Sequence, residues 1–277
     1  SNCGIEDLGI IIKANELCNA YGIDTIAAGA TIAWAMECYE KGLLQHQVDE
    51  MQLNFGNGVA LLQLLDEIAY RKGLGIILGN GAWGASKILG KGSEFAMHVK
   101  GQDFPMHEPR IKHGLGLSYA VSPTGADHMH AIHDVAYTSS KSYAFKRLQQ
   151  LGITEPLPAT SLSPAKIRMS AYEIIINTLY NTLVMCNATR QPYRFDLNII
   201  AGVVNAISGW NVSTFELMKV GERGVTLARA FNIREGLTVK DDNLPNRCYE
   251  NLIDSPSGKP INKGEFEQAI KIYYQVM

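Results

Sequence analysis

Apolar residues recur at helical spacing along most of this chain, and glycine, asparagine, aspartate and serine interrupt them where helices open and close. In IEDLGIIIKANELCNAYG, Ile5, Leu8, Ile12 and Leu17 fall near one face and Gly22 closes the run. Asp24 then caps the alanine-rich TIAAGATIAWAMECYEKG, whose small residues predict a buried, closely packed helix. Asn57 caps GVALLQLLDEIAYRKG, which Gly73 ends, and a further helix is expected over 80–89. Ser163 before Pro164 is a helix start with proline at the first helical position. GLGLSYAVS, SYAFKRLQQLG and the segments 196–209, 213–231 and 262–276 carry the same period. The expected class is all-α.

Between 92 and 128 the period breaks. GSEFAMHVKGQDFPMHEPRIKHG carries glycine and proline signals and predicts a loop with a short strand around Phe95–Val99. A boundary there gives two helical domains, 1–100 and 101–277. REGLTVKDDNLPNRCYENLIDSPSGKP reads as a long polar connection. The opening SNCGIEDL and the uncapped close IKIYYQVM are expected of a piece of a longer polypeptide.

With 46% hydrophobic and 19% charged residues, the chain reads as globular rather than disordered. A net charge of −2 argues against a nucleic-acid surface or an anionic membrane. No run of 18 apolar residues and no signal-peptide pattern occurs, so a cytoplasmic protein with no membrane partner is expected.

The five cysteines at 3, 18, 38, 186 and 248 are odd in number and widely spaced. They predict neither a disulfide framework nor a self-contained metal site. Cys186, at the end of NTLVMC, reads either as a core thiol or as one ligand of a site completed elsewhere. In GADHMHAIHD, His130, His133 and Asp134 lie at i, i+3 and i+4, with His128 just before them. On a helix they would share one face and could ligate a divalent metal; otherwise they line a polar helix start. NAYGID (19–24) and NTLVMC (181–186) each follow an apolar helix, and on periodicity alone both are helix C-termini with an asparagine in the last turn. Arg223, Arg229 and Arg234 are spaced along a helix flank, to tie carboxylates or to line a salt-bridged surface. GNGAWG and HGLGLSY lack the lysine–hydroxyl tail of a phosphate-binding loop.

NCGIEDL, ANELCNAYGIDTIAAGATIAWAMECYEKG, FAMHVKG, GLGLSYAVSPTGADH and GERGVTLARAFNIREG with DDNLP, in this order, resemble the two C-terminal helical domains of the tungsten-containing aldehyde:ferredoxin oxidoreductases. The resemblance implies a bis-molybdopterin tungsten (or molybdenum) cofactor and one [4Fe–4S] cluster, held together with an N-terminal β domain outside this chain. It also implies one D-x-x-G-L-(D/C) segment per helical domain, each contacting a pterin. These map onto Asn19, Gly22, Ile23 and Asp24, and onto Asn181, Val184, Met185 and Cys186. Cys186 would be the fourth cluster ligand, the other three lying upstream. His128 would be the proton-transfer histidine, with Asp127 orienting it, and His130 would stand near the cofactor.

The implied reaction is aldehyde plus water to carboxylic acid, with two electrons passing through pterin and cluster to ferredoxin. Imidazole suits the proton removal. The implied partners are a small aldehyde, ferredoxin, the N-terminal domain and a possible second copy in a homodimer; this chain alone would be inactive and hold no cofactor. The sequence departs from the family pattern: asparagine replaces aspartate at 19 and 181, and Val184-Met185 replaces Gly-Leu. An asparagine offers one acceptor and a donor where a carboxylate accepts twice. The alternatives are a family relative with another substrate or acceptor, a cofactor-free helical interaction or relic module, and a mononuclear metal hydrolase using His128, His130 and His133.

Overall fold

The computed structural model describes residues 2–48, 51–186, 189, 196–252 and 258–277. The chain is all-α, with one small hairpin among the described residues. It divides into two compact units, Ser1–His107 with Pro245–Arg247, and Glu108–Leu244 with Cys248–Met277. No described helix is long and apolar enough to cross a membrane.

The first unit holds α1 (Leu8–Tyr21), α2 (Thr25–Glu40), α3 (Gly58–Tyr70), α4 (Gly75–Leu78) and α5 (Gly81–Leu89). Asp24 and Asn57 cap α2 and α3 through Oδ1, accepting from Ala27 N (2.7 Å) and Ala60 N (3.1 Å). The alanine-rich α2 is the buried helix: Ala28, Ala33, Ala35, Trp34 and Met36 are all in the core. The packed face of α1 differs from the sequence reading. Asp7 caps the helix so that it starts at Leu8, and Ile10, Ala14, Leu17 and Cys18 face the core while Leu8 and Ile12 are exposed. The expected strand shrinks to β1 (His98–Val99), which pairs antiparallel with β2 (Gln102–Asp103). Lys100 (φ 52°) and Gly101 (φ 86°) make the two-residue turn between them, both left-handed as such a turn requires.

The second unit holds α6 (His113–Val121), α7 (Tyr143–Gln149), α8 (Pro164–Thr182), α9 (Leu197–Ser208), α10 (Thr214–Arg234) and α11 (Lys263–Val276). Helix α8 is central, with α6, α10 and α11 packed on it. Helix α10 comes close because two of its residues lack side chains. A Cβ on Gly221 would lie 2.3 Å from the Ile175 carbonyl oxygen, and one on Gly224 would lie 2.6 Å from Thr178 Cγ2. Of the flank arginines, Arg229 makes a two-pronged bond to the buried Asp242, with Nη1–Oδ1 and Nη2–Oδ2 both 3.0 Å. Tyr274 of α11 donates to the same carboxylate at 2.7 Å. Arg234 meets only Glu235 at the surface. The polar connection after α10 is thus partly internal, with Asp242, Leu244 and Cys248 buried.

Two ion pairs lie inside this unit. Lys166 Nζ meets Asp134 Oδ1 at 2.6 Å with both side chains fully buried, and Arg147 meets Glu173 at 2.8 Å. Lys166→Met would leave Asp134 buried without its cation, and such a loss costs about 3–5 kcal/mol. Urea unfolding should show the midpoint falling accordingly, while exposed Lys13→Met, which breaks a surface pair with Glu16, should change it by less than about 1 kcal/mol.

Candidate functional site

The two segments singled out by sequence share one backbone conformation. At the end of α1, Gly22 N donates to Asn19 O (3.4 Å) and Ile23 N to Cys18 O (2.8 Å). At the end of α8, Val184 N donates to Asn181 O (3.0 Å) and Met185 N to Tyr180 O (2.9 Å). Both are Schellman turns, in which a left-handed residue closes the helix and the next residue folds back onto the core. Gly22 (φ 68°) and Val184 (φ 56°) are the left-handed residues. Ile23 and Met185 are half-buried and pack on their own units' cores. These two candidate cofactor contacts therefore anchor the turns.

What each turn exposes is polar. Asn19, Gly22 and Asp24 are exposed in the first, and Asn181, Val184 and Cys186 in the second. Asn19 Nδ2 donates to Asn15 O at 2.9 Å within its own helix, which leaves Oδ1 as the group it can turn outward. A Cβ on Gly22 would meet nothing within 4 Å, so the requirement for glycine there is conformational and the space beside it is open. Residues 187–188 and 190–195, which follow Cys186, lie outside the described residues.

The histidine cluster corrects the sequence reading. The segment is not helical, so His130, His133 and Asp134 do not share a helix face. Gly125 (φ 98°) turns the chain, and Asp127 Oδ1 accepts from Met129 N at 2.8 Å. Asp134 is drawn away into the core by Lys166. Among the described residues, no group of three His, Cys, Asp or Glu side chains could hold a metal ion, which removes the basis for the hydrolase reading.

The histidines instead dock on the last turns of α8. His130 is buried, its carbonyl accepts from Asn177 Nδ2 (3.1 Å), and its Nε2 lies 3.4 Å from Thr178 Oγ1. Burial lowers its pKa. It therefore sits one turn before Asn181, as a neutral group against the helix. His128 is half-buried. His133 Nε2 lies 3.1 Å from the His128 carbonyl oxygen, and the two rings meet edge to face with centroids 6.3 Å apart. Burial, with help from Lys112, lowers the pKa of His133.

The other four cysteines are buried; burial raises the pKa of Cys38 and Cys248 to about 12 and that of Cys3 to about 11, so they are inert thiols. Cys186 is exposed and could give one thiolate to a cluster, which needs four. A pterin edge fits the first turn: Asn19 Oδ1 and the Asp24 carboxylate face solvent beside open space. A buried carboxyl oxygen that no sequence reading singled out, Asp103 Oδ1, lies in the same unit without a hydrogen-bond partner.

An all-α chain with two such polar-tipped turns, one ending in a carboxylate and the other in an exposed thiol, is built like a cofactor-holding helical module. The family model described as "Aldehyde ferredoxin oxidoreductase, domains 2 & 3" matches residues 1–277. The chain belongs to this family. It is 32% identical over 284 residues to a tungsten-containing aldehyde ferredoxin oxidoreductase of Pyrococcus abyssi, and 32% identical over 282 residues to that of Thermococcus kodakarensis; in both cases the match covers 100% of this chain. It is 30% identical to the WOR-like subunit of an aliphatic sulfonate oxidoreductase of Pyrococcus furiosus, over 99% of this chain and 41% of that one. The chain spans 44% of the length of the first two relatives. Among solved structures, the BamBC active-site complex of benzoyl coenzyme A reductase shares the fold, with a TM-score of 0.67 and 20% identity over 98% of this chain and 44% of that one.

Val184 is a β-branched residue held left-handed while 92% exposed, so strain opposes this conformation and no side-chain burial offsets it. Val184→Gly should stabilise the protein by about 1 kcal/mol after the entropy cost of glycine, seen as a higher urea midpoint; a lower one would mean that the valine is held by contacts.

Proposed function

We propose that this chain is the helical portion of a tungsten (or molybdenum) bis-pterin oxidoreductase that oxidises aldehydes to carboxylic acids and passes the electrons to ferredoxin. The observation that supports it most is the matched pair of Schellman turns, on a chain whose family is that of the aldehyde ferredoxin oxidoreductases. Asn19 and Asp24 would hydrogen-bond one pterin and Asn181 the other, with Gly22 and Val184 setting the turns. Ile23 and Met185 would fix the turns from behind. Cys186 would give its thiolate to one corner of a [4Fe–4S] cluster, completed by three thiolates from the rest of the polypeptide.

When bound, the metal–pterin group supplies the two-electron redox change. The chain's own part is the proton. His128 would take it from the water that adds to the aldehyde, or from the hydrate, at an imidazole nitrogen. His133, kept neutral by burial, packs its ring against that imidazole without adding charge. His130 would position the His128 segment on α8. The chain alone would be inactive. A second reading keeps the cofactor and changes the substrate, and the relative that acts on aliphatic sulfonates favours it.

Elemental analysis of the longer polypeptide, expressed anaerobically with tungstate and molybdate, tests the proposal. About four iron atoms and one tungsten or molybdenum per chain are expected, with aldehyde-dependent reduction of a viologen dye. Cys186→Ser should lower the iron content and His128→Gln should abolish turnover while metal content holds. A loaded protein that oxidises no aldehyde would leave the second reading, and one without either metal would sink both.

A further inference from the structure

We propose that Asp103 is a further binding residue of the Asn19–Asp24 site, offering Oδ1 to the N–H edge of the heteroaromatic ring held there. This rests on the pterin reading of that turn. Asp103 ends the hairpin and stands directly opposite His98. The hairpin is a rigid mount: its turn residue Gly101 packs so tightly on Trp83 that a Cβ would lie 3.0 Å from Cε3 of the indole. Strand β2 packs against both α2, whose cap is Asp24, and α5. The residue is 6% exposed, and Oδ1 is buried with no hydrogen-bond partner.

Its neighbours do not supply a counter-charge. His98 Nδ1 accepts from Gly101 N at 3.2 Å, and burial lowers the pKa of this ring to about 4, so it is neutral. The Lys87 ammonium lies over the Trp83 ring, 3.4 Å from its centroid. The charge that acts on Asp103 is Asp24, which adds to burial in raising the carboxyl pKa to about 7. An unpartnered buried carboxyl weakens the fold that contains it, and such a group is expected where a ligand supplies the missing partner. The partner must carry N–H donors and lie beside Asp24. The amino-pyrimidine edge of a pterin has that chemistry, and a carboxylate is its natural acceptor. Asn19 has lost a carboxylate from this turn; Asp103 brings one from the neighbouring hairpin.

The test uses the full-length polypeptide carrying Asp103→Asn or Asp103→Leu. Pterin is released, oxidised and quantified by fluorescence per chain, and the melting temperature is measured on protein made in a pterin-deficient host. Several-fold less pterin in both variants is expected, with a melting temperature of the cofactor-free form equal to or above that of the unaltered protein. Full pterin content in the variants would overturn the inference and leave the pterin reading standing. Loss of pterin together with a melting temperature several degrees lower would make Asp103 structural, and would overturn it too. An unaltered protein that itself holds no pterin would sink both the reading and the inference.

Discussion

The second unit is organised around Asp134. Its carboxylate accepts from Lys166 Nζ (2.6 Å), Gly114 N (3.2 Å) and Leu115 N (2.9 Å), so one buried group joins the first turn of α6, the first turn of α8 and the chain that follows the histidine cluster. A carboxylate at a helix N-terminus meets both free N–H groups and the positive end of the helix dipole. A buried pair is seldom a large net gain over apolar packing. It does forbid other arrangements, because any shift of α6 on α8 strands a charge. His128, His130 and the end of α8 therefore keep their relation through a contact several residues from any of them.

The turns at Gly22 and Val184 show that conformation and chemistry can be separated within one motif. Six backbone positions follow the same path in both, and the fifth residue of each, Ile23 or Met185, fills its unit's core. What differs is the exposed rim: a carboxylate at Asp24, a thiol at Cys186. Substituting valine for glycine strains the turn without changing its hydrogen bonds, because the core contact and the two backbone bonds overdetermine it.

Much of this was readable in the sequence because it is local. Caps at Asp24, Asn57 and Ser163 each need only a side chain and an N–H three residues away, and Gly22 needs only its own φ. The readings that failed depend on distant partners. His130, His133 and Asp134 have helical spacing, yet a Gly125 turn and a lysine 32 residues further on decide where they go. Gly221 and Gly224 looked like punctuation in an arginine-rich helix, and their meaning lies in Ile175 and Thr178 of α8. Asp103 carried no signal at all, since an orphaned oxygen is defined by what fails to surround it.

The asparagines at 19 and 181 are the chain's plainest departure from its family's motif, and the geometry at Asn19 says what the change does. An aspartate there would have two oxygens and no donor, and could not bond the Asn15 carbonyl. Asparagine spends its Nδ2 on that carbonyl, fixing its rotamer and leaving a single neutral acceptor facing out. The turn thereby loses a charge and gains rigidity. A ring with two N–H donors would find one acceptor at Asn19 where the family motif offers two, and the second must come from another element of the same unit. The hairpin that carries Asp103 against α2 is placed to supply it.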